Sequence, residues 1–122
     1  MAVLTVIEAV REAMAEEMRR DFKVFILGED IGKRGGVFLA TLDLMKEFGS
    51  NRVIDTPVAE SSIAGIAMGA AMQGMRPVAE IQFLDFIYPG FDQIDVGNAA
   101  FPSAPFAPFF VLCRYAPAFV FF

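Results

Sequence analysis

The hydrophobic period changes several times along the chain, and each change marks an element. Ile7, Val10, Met14 and Met18 recur at helical spacing. Glu8, Arg11, Glu12, Glu16, Arg19 and Arg20 occupy the other positions, so an amphipathic helix is predicted from about Val6 to Arg20. Thr5 and Glu8 have the spacing of a capping box at its start. The run from Lys23 to Gly28 is short, continuously apolar and closed by glycine, the pattern of a strand buried on both faces. Residues 29–38 form a loop with three glycines. A second helix is predicted from Thr41 to Phe48, closed by Gly49, and a second strand from Arg52 to Pro57, with proline as its stop. Glu60 to Met72 reads as a helix of small and apolar residues, and Arg76 to Phe83 as a third strand. Residues 84–94 can form a further helix, although Pro89 and Gly90 interrupt it.

Helices and strands therefore alternate, and the strands lack the one-sided alternation of an exposed sheet. This predicts an α/β fold: three layers, α/β/α, around a mainly parallel sheet, incomplete at this length. The helix at Glu60–Met72 shows no polar residue after Ser62, so it is expected to be buried, with the Glu60 carboxylate held at a buried mouth.

Composition narrows the chemistry. The 122 residues fit one domain or a piece of one. A net charge of −5 without a basic run argues against nucleic acid as a partner. The single cysteine, Cys113, suits a reducing cytoplasm, and the acid-bearing N-terminus does not read as a signal or transit peptide. Histidine is absent, which removes the usual triads and most zinc sites. Acid–base chemistry must use carboxylates, or a group borrowed from a cofactor or another chain.

In open α/β sheets ligands sit at the carboxyl ends of the strands. Acids fall at each such end: Glu29 and Asp30 after the first strand, Glu60 after the second, Asp85 after the third. Glu60 at a helix start is either a structural cap favoured by the helix dipole or, if desolvated, a carboxyl with a raised pKa suited to proton exchange. The small residues Gly65, Ala67, Gly69, Ala70 and Ala71 allow close packing on a sheet or at a subunit interface. Gly35-Gly36 matches neither common phosphate-binding pattern and reads as a turn. Phe83, Phe86, Tyr88 and Phe91 either fill the core or form an aromatic wall for a planar heterocycle.

Two stretches, residues 27–41 (LGEDIGKRGGVFLAT) and 52–94 (beginning RVIDTPVAESSIAGIAMGAAM), resemble the β-subunit of the 2-oxo acid dehydrogenase E1 component. The resemblance covers residues 1–94. It implies the pyrimidine-binding half of a thiamine diphosphate site, with Mg2+ held by a partner α-subunit in an α2β2 assembly. It implies oxidative decarboxylation of a 2-oxo acid, pyruvate the leading substrate, with acyl transfer to a lipoyl-E2 acyltransferase core. On the matching positions, Glu60 would meet the pyrimidine N1′ and stabilise the imino tautomer. Phe86 would line or stack on the ring, Val58 would contact it, and Glu29 would be a second acid near the cofactor. Transketolase and deoxyxylulose phosphate synthase share the glutamate before a small-residue helix and are the rival thiamine enzymes.

After Ile94 the sequence departs from that family. Residues 99–122 contain seven Phe, four Pro and one charge, Arg114. Prolines 102, 105 and 108 oppose a membrane-spanning helix. Residues 95–122 are expected to lie outside the native fold, as a frame error would produce. The family's downstream histidine and C-terminal domain have no counterpart here. The alternative reading is thus an inactive fragment.

Overall fold

The computed structural model describes residues 3–100 and 110–114. Helix α1 (Val6–Arg20) opens with the expected capping box: the Glu8 N–H donates to Thr5 Oγ1 at 3.3 Å, and the Thr5 N–H donates to Glu8 Oε2 at 2.8 Å. The Thr5 N–H, together with the Thr5 hydroxyl that donates to Glu8 Oε2 at 2.7 Å, holds the Glu8 carboxyl below its ordinary range. Strand β1 (Val24–Glu29) follows, then helix α2 (Leu44–Phe48), strand β2 (Val53–Thr56), helix α3 (Glu60–Met72) and strand β3 (Arg76–Phe83). A 3₁₀ helix (Leu84–Gly90), helix α4 (Phe91–Ala100) and strand β4 (Phe110–Arg114) complete the order.

The four strands form one sheet in the order β2-β1-β3-β4, all neighbours parallel. Successive strand residues face opposite sides. Phe25, Leu27, Ala79 and Ile81 pack with Ile63, Ala64, Ala67 and Ala71 of α3. Val24, Ile26, Val53 and Val78 pack with Met14, Ala15 and Met18 of α1 and Leu44 of α2. Helices therefore cover both faces, as the alternating pattern predicts. The connection from β1 leads to β2 on one side; the connection from β2 passes over β1 to β3 through α3. Such a strand order has its switch point between β1 and β3, where doubly wound sheets open a crevice.

Three expectations are corrected. The second helix starts at Leu44, not Thr41, because Asp43 adopts a left-handed conformation (φ 66°) and the Thr41 hydroxyl donates to the Ile31 carbonyl at 2.7 Å. Residues 84–94 are not one helix. Proline 89 sits in a tight 3₁₀ segment, and the α-helix starts only at Phe91. Helix α3 has the predicted bounds but is not buried all round: Ile66 is 54% exposed and Met72 43%, and a Cβ at Gly69 would meet nothing within 4 Å. Small residues let α3 lie close to the sheet, and Ile87 of the 3₁₀ segment and Ile94 of α4 pack against it as well, while Ile66, Gly69 and Met72 stay on its exposed side. Glu60, at its start, is half-buried rather than enclosed.

Strand β4 lies within the Phe- and Pro-rich stretch and pairs with β3 through Val78↔Phe110 to Ile81↔Cys113. The expectations for residues 101–109 and 115–122 fall outside the described residues. No helix among the described residues is long and apolar enough to cross a membrane.

Candidate functional site at the carboxyl ends of the strands

Because the strands are parallel, their carboxyl ends share one edge. Glu29 is the last residue of β1 and half-buried. Asp30 follows it with φ 56° and pairs with Arg34 at 3.1 Å. Glu60 occupies the first turn of α3, where the N-cap residue Ala59 offers no capping side chain. The free amide end of the helix and its dipole favour a negative group there. The carboxylate of Glu60 makes no hydrogen bond or ion pair among the described residues. Asp85 follows β3 and is exposed.

The segment after β3 is docked on that helix start. Ser61 Oγ donates to the Pro89 carbonyl, and a Cβ at Gly90 would lie 3.0 Å from the Glu60 carbonyl oxygen. Glycine thus permits the close approach of the 3₁₀ segment that carries Phe86 to the first turn of α3. Phe86 packs edge-on against Phe83 (centroids 5.4 Å apart), and Phe83 against Phe38 of the loop after β1 (5.4 Å). Part of the expected aromatic wall exists as this row of rings. Phe86 still exposes 45% of its surface, and Val58, in the bend before α3, 67%. Tyr88 and Phe91 are exposed and stand outside the row. No hydrogen bond joins Glu29 to Glu60 among the described residues.

The buried acid is a residue that the pattern alone did not single out. Glu80, in mid-β3, is 6% exposed, and its Oε2 has no hydrogen-bond partner. Burial, with the charge of Glu29 added, pushes its carboxyl up to about 7. It lies opposite Gly28 in the β1–β3 ladder. A Cβ on Gly28 would lie 2.8 Å from the Glu80 carbonyl oxygen and 2.9 Å from the Glu80 Cβ. The glycine that closes the apolar run of β1 therefore makes room for this acid. Gly28→Ala is expected to cost about 2 kcal/mol, the range of an overpacked interior; a urea midpoint unchanged from wild type would contradict this reading. The available signal was an acid within a run read as buried. A second unpartnered buried atom, Thr56 Oγ1, sits opposite Glu29 at the end of β2.

Among the described residues no cluster of acids, His or Cys is arranged to hold a metal ion. An aminopyrimidine needs a carboxylate for its ring nitrogen, polar partners for its amino group and an apolar wall. The unengaged Glu60, the exposed ring of Phe86, the side chain of Val58 and the unpartnered Thr56 hydroxyl fit that group.

Residues 2–102 match the transketolase pyrimidine-binding domain. The chain belongs to that family. Among curated proteins, this transketolase-type pyrimidine domain is 60% identical over 94 residues to the 2-oxoisovalerate dehydrogenase subunit beta of Bacillus subtilis. It is 52% identical over 94 residues to the pyruvate dehydrogenase E1 component subunit beta of Staphylococcus epidermidis. Each match covers 77% of this chain and 29% of the relative, so the chain spans about three tenths of the length of these proteins. Among solved structures, a split-gene transketolase in an inactive β4 tetramer superposes with a TM-score of 0.58 at 24% identity. That superposition covers 71% of this chain and 27% of the other, and it supports the fold alone. The pyrimidine-domain match and both curated relatives agree with the resemblance read from residues 27–41 and 52–94.

Proposed function

We propose that this chain supplies the pyrimidine-side half of a thiamine diphosphate site in the E1 component of a 2-oxo acid dehydrogenase. The carrying observation is the geometry at the strand ends. An unengaged carboxylate, Glu60, stands at a helix start against which the Phe86 segment is docked. In this reading Glu60 holds a proton at the pyrimidine N1′, Phe86 and Val58 orient the ring and exclude water, and Glu29 adds a second negative charge nearby. Bound thiamine diphosphate would supply the carbanion chemistry that decarboxylation of a 2-oxo acid requires. The diphosphate and its Mg2+ would be held by an α-subunit in an α2β2 assembly. Acyl transfer to lipoyl-E2 would follow in the same cytoplasmic complex. The substrate is a 2-oxo acid, and the relatives include enzymes named for a branched-chain and for a three-carbon member of that class. The 60% identity to an E1 β-subunit favours this reading over transketolase, whose likeness at 24% extends to the fold.

Phe86 separates this proposal from simple core filling. With an E1 α-subunit present, Phe86→Ala is expected to weaken thiamine diphosphate binding about tenfold in calorimetric titration, with little loss of stability, because the ring is 45% exposed. Unchanged affinity with a large loss of stability would assign Phe86 to the core instead.

A further inference from the structure

A buried acid without a partner sits directly under the anchor of the loop that follows β1. Glu80 shares the sheet face of Val78, which packs with Ile26, Ile31 and Leu44. The space above Gly28 is bounded by the Glu80 Cβ at 2.9 Å and by Ile31 Cγ2 at 3.1 Å, both measured from where a Cβ on Gly28 would lie. Ile31 is fully buried, and it is the plug of the loop over residues 30–43. Polar bonds seat that loop around the plug. The Gly32 N–H donates to Asp55 Oδ1 at 2.6 Å, the Thr41 hydroxyl to the Ile31 carbonyl at 2.7 Å, and Arg11 Nη1 of α1 to the Leu39 carbonyl at 3.2 Å. The loop also holds three non-glycine residues at positive φ, Asp30, Leu39 and Asp43, a conformation that persists only while its surroundings impose it.

The groups around Glu80 offer its charged form no relief. From β1 comes Glu29, a like charge. The ladder partners, Gly28 on β1 and Leu112 on β4, do not titrate. In the loop, Asp30 is paired with Arg34 and Asp43 with Lys46, and Lys33 is exposed. From β2, Asp55 is engaged by Gly32. From α1 and α2 the facing residues are Met14, Ala15, Met18 and Leu44. An ionised Glu80 must therefore obtain water, and Ile31, which borders the same space above Gly28 as the Glu80 Cβ, is the side chain whose withdrawal would open that space.

We propose that Glu80 is a proton-operated latch: protonated, it lets Ile31 seat the 30–43 loop over the β1–β3 pair, and ionised, it releases that loop. The released segment carries Asp30 and Phe38, so the latch would reshape the strand-end edge whether or not that edge binds thiamine diphosphate.

Amide hydrogen exchange on this chain tests the latch, read at Gly32, Gly36 and Thr41 in the loop and at Ala67 and Ala71 in α3. After correction for intrinsic rates, opening of the loop amides should rise roughly 70-fold between pH 5 and pH 8. That factor follows for an acid that titrates at 4.5 when open and about 7 when closed. The loop amides should also stay insensitive to low urea, unlike the α3 amides, which open with the whole domain. Glu80→Gln should abolish the pH response. Glu29→Gln, a change at a half-buried residue, should shrink the rise and bring its plateau to lower pH, because removing the like charge eases ionisation of Glu80 in the closed loop. Loop amides that share the urea dependence of α3 would overturn the latch, and so would a pH response that survives Glu80→Gln or is unmoved by Glu29→Gln.

Discussion

Glu60→Gln is expected to slow C2 proton exchange of thiamine diphosphate by at least about 100-fold in an assembly of this chain with an E1 α-subunit. That is the lower range for losing a positioned acid–base group. The amide has nearly the shape of the carboxyl but cannot exchange a proton with a ring nitrogen. The fold should be unaffected, because Glu60 is half-buried and its carboxylate anchors no described neighbour. The helix would lose only a favourable charge in its first turn, worth about 0.3–1 kcal/mol. The exchange rate therefore separates the two readings of this residue, while stability changes little in either. If Glu60 is merely a cap, the substitution costs a few tenths of a kcal/mol and leaves exchange at the wild-type rate.

The second large effect concerns pH. Glu80 has a native pKa near 7, raised from 4.5, so the folded chain holds this proton more tightly than the unfolded chain does. Its contribution is fully present below pH 4.5 and is lost as pH rises through 7. Between pH 5 and pH 8 the expected loss is about 2.5 kcal/mol. Carboxyls held low in the native state, Glu8 by Thr5 and Glu47 by Arg19, act with the opposite sign. They are mostly ionised in both states above pH 5, so Glu80 dominates the change across this window. Urea unfolding should show wild-type stability falling across it and Glu80→Gln nearly flat. Equal slopes for the two proteins would mean that Glu80 is solvated in the native state.

Elements whose pattern is set by local spacing were legible from sequence. The bounds of α3 and β3 agree residue for residue, and the Thr5–Glu8 box forms as its spacing requires. What escaped depends on what lies across from a residue. Glu80 gave little warning, because its burial follows from its register opposite Gly28, and register is not written in either strand alone. The half-exposed state of α3 escaped because Ala, Gly and Ile read the same against a sheet as on an open face. The ring row likewise needs Phe38 to return from the loop to Phe83, a tertiary event that its neighbours in sequence do not encode. The strand-end acids were legible because parallel topology fixes which ends converge, but their unequal burial was not.

The central claim is that the carboxyl ends of the strands form the pyrimidine side of a thiamine diphosphate site. The most direct test is residue-resolved NMR of the labelled chain, mixed with an E1 α-subunit and titrated with thiamine diphosphate and Mg2+. The account predicts saturable shifts centred on Glu29, Val58 to Ser61 and Phe83 to Phe86, reduced in Glu60→Gln. Shifts confined to the α1–α2 face, or none at these residues at saturating cofactor, would contradict it.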